Sequence, residues 1–386
     1  MALNIPMVGR DVTDETRVST PLELFFDLTF VVAVAQAGAA LHRGLAGGHV
    51  GDALSAFPAA FFAIWWAWMS FTWFASAYDT DDVLYRVMVF TQMVGVLILA
   101  AGIPRGFDRG DYKVMTLGYV VMRLAMVSQW VRAALSDRAR RRCAIRYALG
   151  IAIVQIGWVA RLALDGTASA IALVVLGVAE LAVPVWAEAA GRTTWHPRHM
   201  AERYGLFTII VLGESILAAT TGVQVAIDND QRLRDLAPVV VGGLLIVFAM
   251  WWIYFDMPRE RAAEALRAVF DGRSAGAFSW GYGHYFVFAA AAATGSGLAV
   301  AVDQVTGSSQ LTARQAGAAT TVPVAIYVVA VWLIHRRYKQ SHLPPWTSPV
   351  VVVLILAATF TPQPVLVTGL VLVALLALAL ATKPQN

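Results

Sequence analysis

The sequence is poor in charged residues and contains a single cysteine. Lys, Arg, Asp and Glu together make up 14% of the 386 residues, whereas 59% are hydrophobic. A water-soluble globular protein has no interior large enough for so much apolar surface, so the composition excludes the soluble classes and indicates an integral membrane protein. The lone Cys143 excludes an intramolecular disulfide and a cysteine-ligated metal site.

Apolar stretches of about 20 residues recur along the whole chain, and each is long enough to cross a bilayer as a helix. The sequence therefore predicts an all-α, polytopic integral membrane protein with about twelve transmembrane helices. The predicted spans are 21–41, 54–76, 83–103, 113–135, 144–164, 168–190, 201–222, 236–257, 277–302, 314–335, 348–361 and 363–382. Because residues 1–20 are polar and lack the apolar core of a signal peptide, we expect insertion to begin with the first span.

Two segments six helices apart share a local pattern. Residues 23–32 and 202–211 each begin with Glu and have Thr six positions later, at an offset of 179 residues. An even number of helices between them gives both segments the same orientation, as in the parallel repeats of several transporter folds. This predicts a first six-helix half at 21–190 and a second at 191–382, with terminal segments at 1–20 and 383–386.

The basic residues are distributed unevenly between the predicted connections. Twenty of the 29 Lys and Arg residues lie on the side of the two termini, eight lie on the other side, and Arg123 lies inside a span. Because cytoplasmic loops carry the excess of Lys and Arg, we expect both termini in the cytoplasm and the chain in the bacterial cytoplasmic (inner) membrane. The expected partner of this basic face is the lipid bilayer and not nucleic acid, since the chain has no basic domain.

Four ionisable residues fall near the predicted midplane of the membrane, where an uncompensated charge is costly. They are Arg123, Glu180, Glu214 and His284. We expect them to form one polar network in which Glu214 pairs with Arg123 or His284. Two carboxylates sharing one arginine would leave one carboxylate able to carry a proton. The alternative is a static ion pair that only holds helices together.

A second group of polar residues lies at the predicted cytoplasmic edge, and we interpret it as a vestibule. Its members are Glu23, Asp27, Asp79, Glu202, Arg203 and Asp256. Glu23 and Asp27 are four residues apart and therefore share one face of the first helix. For Asp79 a solvated turn that caps a helix is the simpler interpretation, and for Glu202 and Arg203 a charge pair at a helix start.

A metal site near the second half is not predicted. His199 and Glu202 are one helical turn apart, but Pro197 interrupts the stretch and no matched pair of ligands occurs on a neighbouring predicted helix. We therefore expect neither a metal nor another cofactor.

Five motifs, in this order along most of the chain, resemble those of the bacterial low-temperature-requirement A family. They occupy residues 23–31, 73–82, 199–215, 252–256 and 282–284. The resemblance implies a polytopic membrane fold and supplies no biochemical activity, substrate or oligomeric state.

Our functional hypothesis is a transporter-like protein that moves a small solute or ion with proton coupling, and no catalytic residue is assigned. Three alternatives stay open. One is a membrane-embedded enzyme acting on a lipid or another hydrophobic substrate, with Asp27, Glu202 or His284 in acid–base roles, although no nucleophile motif demands it. Another is a cation channel, which the Phe-Phe-Asp sequence ending at Asp27 suggests. The last is a scaffold that transports nothing.

Overall fold

The computed structural model describes residues 2–11, 18–228, 233–256, 274–336 and 343–382. Within these ranges the chain forms twelve helices and no strand. The helices are α1 (Pro21–Ala46), α2 (Val50–Tyr78), α3 (Val83–Arg109), α4 (Lys113–Ser136), α5 (Arg141–Arg161), α6 (Gly166–Glu188), α7 (Pro197–Asp228), α8 (Leu233–Phe255), α9 (Ser274–Thr306), α10 (Ala313–His335), α11 (Thr347–Ala358) and α12 (Pro364–Ala381). Each predicted span falls on one of these helices, which confirms the all-α fold class.

Ten of the described helices are long and apolar enough to cross a membrane, judged by length and composition. The other two are α7, with 32 residues, and α11, with 12 residues. The chain is therefore a multi-pass membrane protein. The predicted terminal segment 383–386 lies outside the described residues, as does the arginine-rich connection 258–274 apart from its last residue.

The residues group into two compact units. Unit 1 contains Met1–Ala37 and Ala59–Arg203, and unit 2 contains Gly38–Pro58 and Tyr204–Asn386. Helices α3 to α6 belong to unit 1 and α8 to α12 to unit 2, whereas α1, α2 and α7 each contribute to both. The division into two six-helix halves stays a prediction.

Glycine allows two helices of unit 1 to pack backbone to backbone. A Cβ atom added to Gly118 of α4 would lie 2.4 Å from the backbone nitrogen of Leu99 and 2.5 Å from the carbonyl oxygen of Gly95, both on α3. Only a hydrogen fits there, as at the small-residue contacts of many membrane helix pairs. The contact fixes α4 against α3, and α4 carries Arg123, which is 2% exposed.

Glycine also allows close helix–helix contacts in unit 2. A Cβ atom on Gly297 of α9 would lie 2.1 Å from the carbonyl oxygen of Ala319 on α10, and one on Gly242 of α8 would lie 2.6 Å from the Cα atom of Leu366 on α12. Helices α9 and α10 are thus held in close contact. They form two walls of an apolar groove.

Candidate functional site

Four ionisable side chains of unit 1 meet in a cluster that excludes solvent. Glu23 and Asp27 lie in the first two turns of α1, and His199 and Arg203 lie in the first two turns of α7. Each pair is separated by four residues, so both of its side chains lie on one face of the helix. The four side chains are at most 1% exposed. We call this group the α1–α7 cluster.

Arg203 binds both carboxylates of the α1–α7 cluster. Its Nη1 lies 3.2 Å from Oε1 of Glu23, and its Nη2 lies 2.5 Å from Oδ1 of Asp27. His199 Nε2 lies 3.0 Å from the same Glu23 oxygen. The indole N–H of Trp68, on α2, donates a hydrogen bond to Asp27 Oδ1 at 2.7 Å. Three helices are therefore joined through two carboxylates.

The two oxygens of Asp27 have different surroundings. Oδ1 accepts hydrogen bonds from Arg203 and Trp68. Oδ2 is buried and accepts no hydrogen bond from any residue that the structure describes. Because buried polar atoms nearly always have a partner, Oδ2 is suited to bind a proton.

The charges of the α1–α7 cluster do not cancel without a further positive charge. Glu23 and Asp27 contribute two negative charges when ionised, and Arg203 contributes one positive charge. A neutral His199 leaves one net negative charge in a site without solvent, which is energetically unfavourable. A single added proton, on the imidazole or on a carboxylate, brings the cluster to neutrality.

Arg123 and Glu180 form a second buried ion pair in unit 1. Besides Arg123, the Glu180 carboxylate accepts hydrogen bonds from Trp66 Nε1 at 2.7 Å, the Tyr119 hydroxyl at 2.9 Å and Trp158 Nε1 at 3.2 Å. Both carboxylate oxygens are satisfied and the charge is neutralised. This pair joins α2, α4, α5 and α6, and its geometry is that of a static ion pair.

His284 lies in unit 2 and is 1% exposed. Its Nδ1 is 2.8 Å from the carbonyl oxygen of Trp280, and its Nε2 is 3.1 Å from the hydroxyl of Tyr254. A carbonyl only accepts hydrogen bonds, so Nδ1 carries the proton and Nε2 accepts from Tyr254. These contacts determine which tautomer the neutral imidazole adopts.

Glu214 is half-buried on the part of α7 that belongs to unit 2. It forms no hydrogen bond or ion pair with any described residue, which differs from the pairing with Arg123 or His284 that the sequence suggested. The physical reason is that both candidate partners are already satisfied. The charge of Arg123 is neutralised by Glu180, and both ring nitrogens of His284 are occupied.

The other predicted vestibule residues lie outside the α1–α7 cluster. Glu202 is half-buried and accepts a hydrogen bond from the backbone N–H of Ser19 at 3.3 Å. Asp79 follows α2, and its Oδ2 lies 3.9 Å from Nη2 of Arg10. Asp256 follows α8 in unit 2 and lines a cavity of about 570 Å³. Of the six vestibule residues, the structure brings together Glu23, Asp27 and Arg203.

Two members of this environment were missed by sequence reasoning. His199 was considered only as a metal ligand beside Glu202, and Trp68 was not among the candidate residues. The signal that could have found His199 was the matched spacing of two acidic residues, Glu23 and Asp27, and two basic residues, His199 and Arg203. Two helices with complementary pairs at the same four-residue spacing can dock face to face.

Residues 2–11 form an N-terminal segment that binds two aspartates elsewhere in unit 1 through backbone hydrogen bonds. The backbone N–H of Ile5 donates to Oδ2 of Asp82 at 2.8 Å, and that of Gly9 donates to Oδ2 of Asp137 at 3.3 Å. Asp82 and Asp137 lie in the connections that precede α3 and α5, outside the apolar spans. The segment therefore depends on two carboxylates that lie away from the hydrocarbon region.

The surroundings of Asp82 favour its ionised form. Burial alone would raise the pKa of Asp82, but hydrogen bonds from the backbone N–H groups of Ile5 and Tyr85, and from Arg132, together hold this pKa below its usual value. The Asp82–Arg132 ion pair has a length of 2.6 Å. Asp137 behaves in the same way: burial opposes ionisation, and hydrogen bonds and charge from Arg140 lower the pKa.

A family model described as "Bacterial low temperature requirement A protein (LtrA)" matches residues 18–382 of the chain. The "Uncharacterized protein RA0937" of Rhizobium meliloti (strain 1021) is 27% identical over 375 residues, which cover 92% of this chain and 85% of that protein. No solved structure matches the chain. The matched family region contains the α1–α7 cluster and the Arg123–Glu180 pair, whereas the N-terminal segment precedes it.

Proposed function

Because the chain belongs to the bacterial low temperature requirement A family, whose match covers a multi-pass membrane fold, we propose that it moves a small solute or ion across the membrane with proton coupling. The α1–α7 cluster is the proposed proton-binding site. The observation that supports this assignment is the buried Oδ2 of Asp27, which has no hydrogen-bond donor in the described part of the chain.

Ionisable residues inside membrane helices generally mark pathways or relays, because a charge without such a role is disfavoured there. The two buried ion groups of unit 1 differ in this respect. The Arg123–Glu180 pair is neutral as it stands, and four donors surround its carboxylate. With a neutral His199, the α1–α7 cluster is one positive charge short of neutrality. We therefore assign proton binding to the α1–α7 cluster. The Arg123–Glu180 pair is assigned a structural role, in which it holds helices together.

Protonation of Asp27 changes how α1 is held against α7. A neutral carboxyl no longer attracts the Arg203 guanidinium as an ion, so one of the two links between these helices weakens. Loss of the proton restores the ion pair. The contact between α1 and α7 in unit 1 is therefore the proposed two-state element that proton binding biases.

The apolar groove of unit 2 gives the enzyme alternative little support, whereas the cavity of about 570 Å³ in the same unit has Asp256 and His335 among its lining residues. A membrane-embedded enzyme needs several acid–base or nucleophilic groups beside a lipid-accessible cleft. The apolar groove of unit 2 has Ser279, Trp280 and Arg336 as its polar lining residues, and neither a carboxylate nor a histidine of the described chain lines it.

The transport proposal is tested in proteoliposomes loaded with a pH-sensitive dye and challenged with a panel of small solutes and ions. We expect Asp27→Asn to abolish coupled proton movement, because the amide keeps the size of the side chain and loses its titratable charge. Asp108→Asn is the matched control, since Asp108 is exposed at the end of α3 in the same unit. It should behave like the parent protein.

Glu214→Gln is measured beside these variants. Retained coupling in Glu214→Gln together with lost coupling in Asp27→Asn supports the cluster as the proton site. The opposite pattern moves the proton site to Glu214. If both variants match the parent toward every solute that moves, the carboxylates are structural and the proton-coupling proposal is wrong.

We also propose that both termini face the cytoplasm and that the membrane is the bacterial inner membrane, on the basis of the arginine distribution. Cysteine labelling tests this directly, because the native Cys143 is buried and gives little background. In intact cells an impermeant maleimide should miss Ala139→Cys, between α4 and α5, and should label Ser308→Cys, between α9 and α10. Both positions are exposed. Labelling in the reverse pattern overturns the orientation.

A further inference from the structure

Unit 2 contains an apolar groove between α9, α10 and α11, with a volume of about 670 Å³. Phe286 of α9, Val322 and Ile326 of α10, and Leu356 of α11 are among its lining residues. Its extent along α10 runs from Val322 to Arg336, which corresponds to about 21 Å at the rise of a helix. The groove is therefore long, apolar along its length and suited to an extended hydrocarbon chain.

One end of this groove is polar. Arg336 directly follows α10, and Ser279 and Trp280 lie near the start of α9. The Arg336 guanidinium lies over the Trp332 ring, 5.3 Å from its centroid, and forms no salt bridge with any described residue. The indole Nε1 of Trp280 is buried and donates no hydrogen bond within the described part of the chain. At the same end of the apolar groove there are thus two hydrogen-bond donors, an exposed guanidinium and a buried indole N–H, that have no acceptor side chain among the described residues.

We propose that this groove binds an anionic phospholipid, with an acyl chain along α10 and the phosphate at Arg336 and Trp280. A guanidinium and an indole N–H are donors only, and a phosphate supplies acceptor oxygens that match the planar guanidinium. The negative charge balances Arg336, and the hydrocarbon chain covers the apolar lining. Neither feature is used by the proposed transport activity, so this proposal stands independently of it.

The charge of the lipid is what the site selects. A zwitterionic phospholipid carries its own positive group, which repels Arg336 and weakens the contact with the phosphate. An uncharged lipid fills the groove and can accept from the Trp280 N–H through an ester carbonyl, but it supplies no negative charge for Arg336. The two kinds of phospholipid and an uncharged lipid are therefore the arms of the test.

The full chain, purified and delipidated in detergent, is titrated with dioleoylphosphatidylglycerol, dioleoylphosphatidylcholine or dioleoylglycerol, and bound lipid is counted by native mass spectrometry. We expect the anionic lipid to bind about tenfold more tightly than the other two, as removal of a charge-assisted hydrogen bond implies. Arg336→Gln should remove that preference, and Trp280→Phe, which keeps an aromatic ring and loses the N–H, should reduce it.

Arg314→Gln is the matched control. Arg314 lies at the start of α10, at the opposite end from Arg336, and its guanidinium also lies over an aromatic ring, that of Phe360. It should leave binding of the anionic lipid unchanged. Ile326→Trp places a large side chain at the groove and should weaken binding of all three lipids. Thermal unfolding of each variant, measured without lipid, identifies a variant that fails to fold.

Three results overturn the proposal. One is equal binding of the three lipids to the parent protein, and another is unchanged binding of the anionic lipid to folded Arg336→Gln. The third is an equal loss in Arg314→Gln, which reports a general effect of surface charge. If Ile326→Trp weakens binding while Arg336→Gln does not, the groove holds an apolar molecule with no anionic group.

Discussion

The Arg203 guanidinium on α7 donates to Oδ1 of Asp27 on α1 at 2.5 Å. Trp68 donates to that same oxygen, while Oδ2 accepts from no residue in the described part of the chain. The two oxygens of the Asp27 carboxylate therefore have different contacts and different proposed roles. Oδ1 joins α1 to α2 and α7, and Oδ2 is the proposed proton-binding atom.

The first prediction concerns the stability of this link. Arg203→Met removes the guanidinium that neutralises Glu23 and Asp27, so two buried carboxylates lose their common partner. Breaking a buried ion pair on one side destabilises a protein by about 3–5 kcal/mol. We expect a loss of that size in the free energy of unfolding, measured in mild detergent with a denaturant that unfolds the parent reversibly.

The double variant Asp27→Asn with Arg203→Met is the control for this effect. It removes one negative and one positive charge together, so it should be clearly more stable than Arg203→Met alone. Equal destabilisation in the single and double variants would show that lost packing of the long arginine side chain, and not an uncompensated charge, accounts for the result.

The second prediction compares two glutamates in membrane helices. Glu180→Gln leaves Arg123 buried without a counter-ion and should lower the free energy of unfolding by about 3–5 kcal/mol. Glu214→Gln removes no hydrogen bond or ion pair with a described residue, so its effect should stay within about 0.5 kcal/mol. Thermal unfolding of both variants under one set of detergent conditions provides the measurement.

The reverse ranking of these two variants would mean that the ion pair contributes little to the fold. A third variant, Arg123→Met combined with Glu180→Leu, separates the explanations. If the pair serves only to join helices, an apolar replacement of both partners should restore much of the stability that Glu180→Gln loses.

The helices were predictable from the sequence, and most partners of the polar residues were not. Each span is an apolar run of about 20 residues, and the length of such a run sets where a helix lies in the chain. The depth of a residue follows from its position in the run, but its neighbours depend on how the helix is rotated. Glu180 and Glu214 have similar predicted depths, yet Glu180 faces Arg123 and Glu214 faces no ionic partner among the described residues.

The cluster at α1 and α7 was predicted in part for the same reason. A shared helix face for Glu23 and Asp27 follows from their spacing alone. The identity of the opposing helix does not, because α1 and α7 are more than 150 residues apart in the sequence. Only the matching pair, His199 and Arg203, carried a signal of that contact.

The interaction of the N-terminal segment with Asp82 and Asp137 was not predicted. Both carboxylates accept hydrogen bonds from backbone N–H groups of the segment, those of Ile5 and Gly9. Every residue except proline carries such a group, so the side chains of the segment do not reveal which carboxylate it binds.

The third prediction concerns His284. Tyr254→Phe removes the hydroxyl that donates to Nε2 of His284 and leaves a buried acceptor without a donor, which is unfavourable by about 1–3 kcal/mol. We expect a loss of stability in this range. The pH dependence of proton movement in proteoliposomes should stay unchanged, because the imidazole is held in one neutral tautomer.

A shifted pH profile in Tyr254→Phe, at unchanged protein stability, would contradict this assignment and would make His284 part of a proton relay. Tyr282→Phe is the comparison variant. It removes a hydroxyl from the same helix that carries His284, and the Tyr282 ring contacts Phe278.

The fourth prediction concerns acid release of the N-terminal segment. The pKa of Asp82 is lower in the folded protein than in the unfolded chain, where a value of about 3.9 is usual. Its stabilising contribution is therefore present above that value and is lost as the pH falls through the lower, folded-state value. A nitroxide spin label at Val8→Cys, an exposed position of the segment, should be ordered at pH 7 and at pH 5 and should become mobile only as the pH falls below about 3.9.

Asp82→Asn should mobilise the label already at pH 7, because the amide no longer forms an ion pair with Arg132. Asn is as good an N-cap as Asp, so Asp82→Asn preserves the start of α3. A change in label mobility in this variant therefore reports on the N-terminal segment and not on a disrupted helix. Asp108→Asn, at an exposed carboxylate, should leave the label ordered at pH 7. If the label in the Asp82→Asn variant stays ordered down to pH 3 while circular dichroism shows intact helices, then Asp82 does not hold the segment, and acid release must depend on another group such as Asp137.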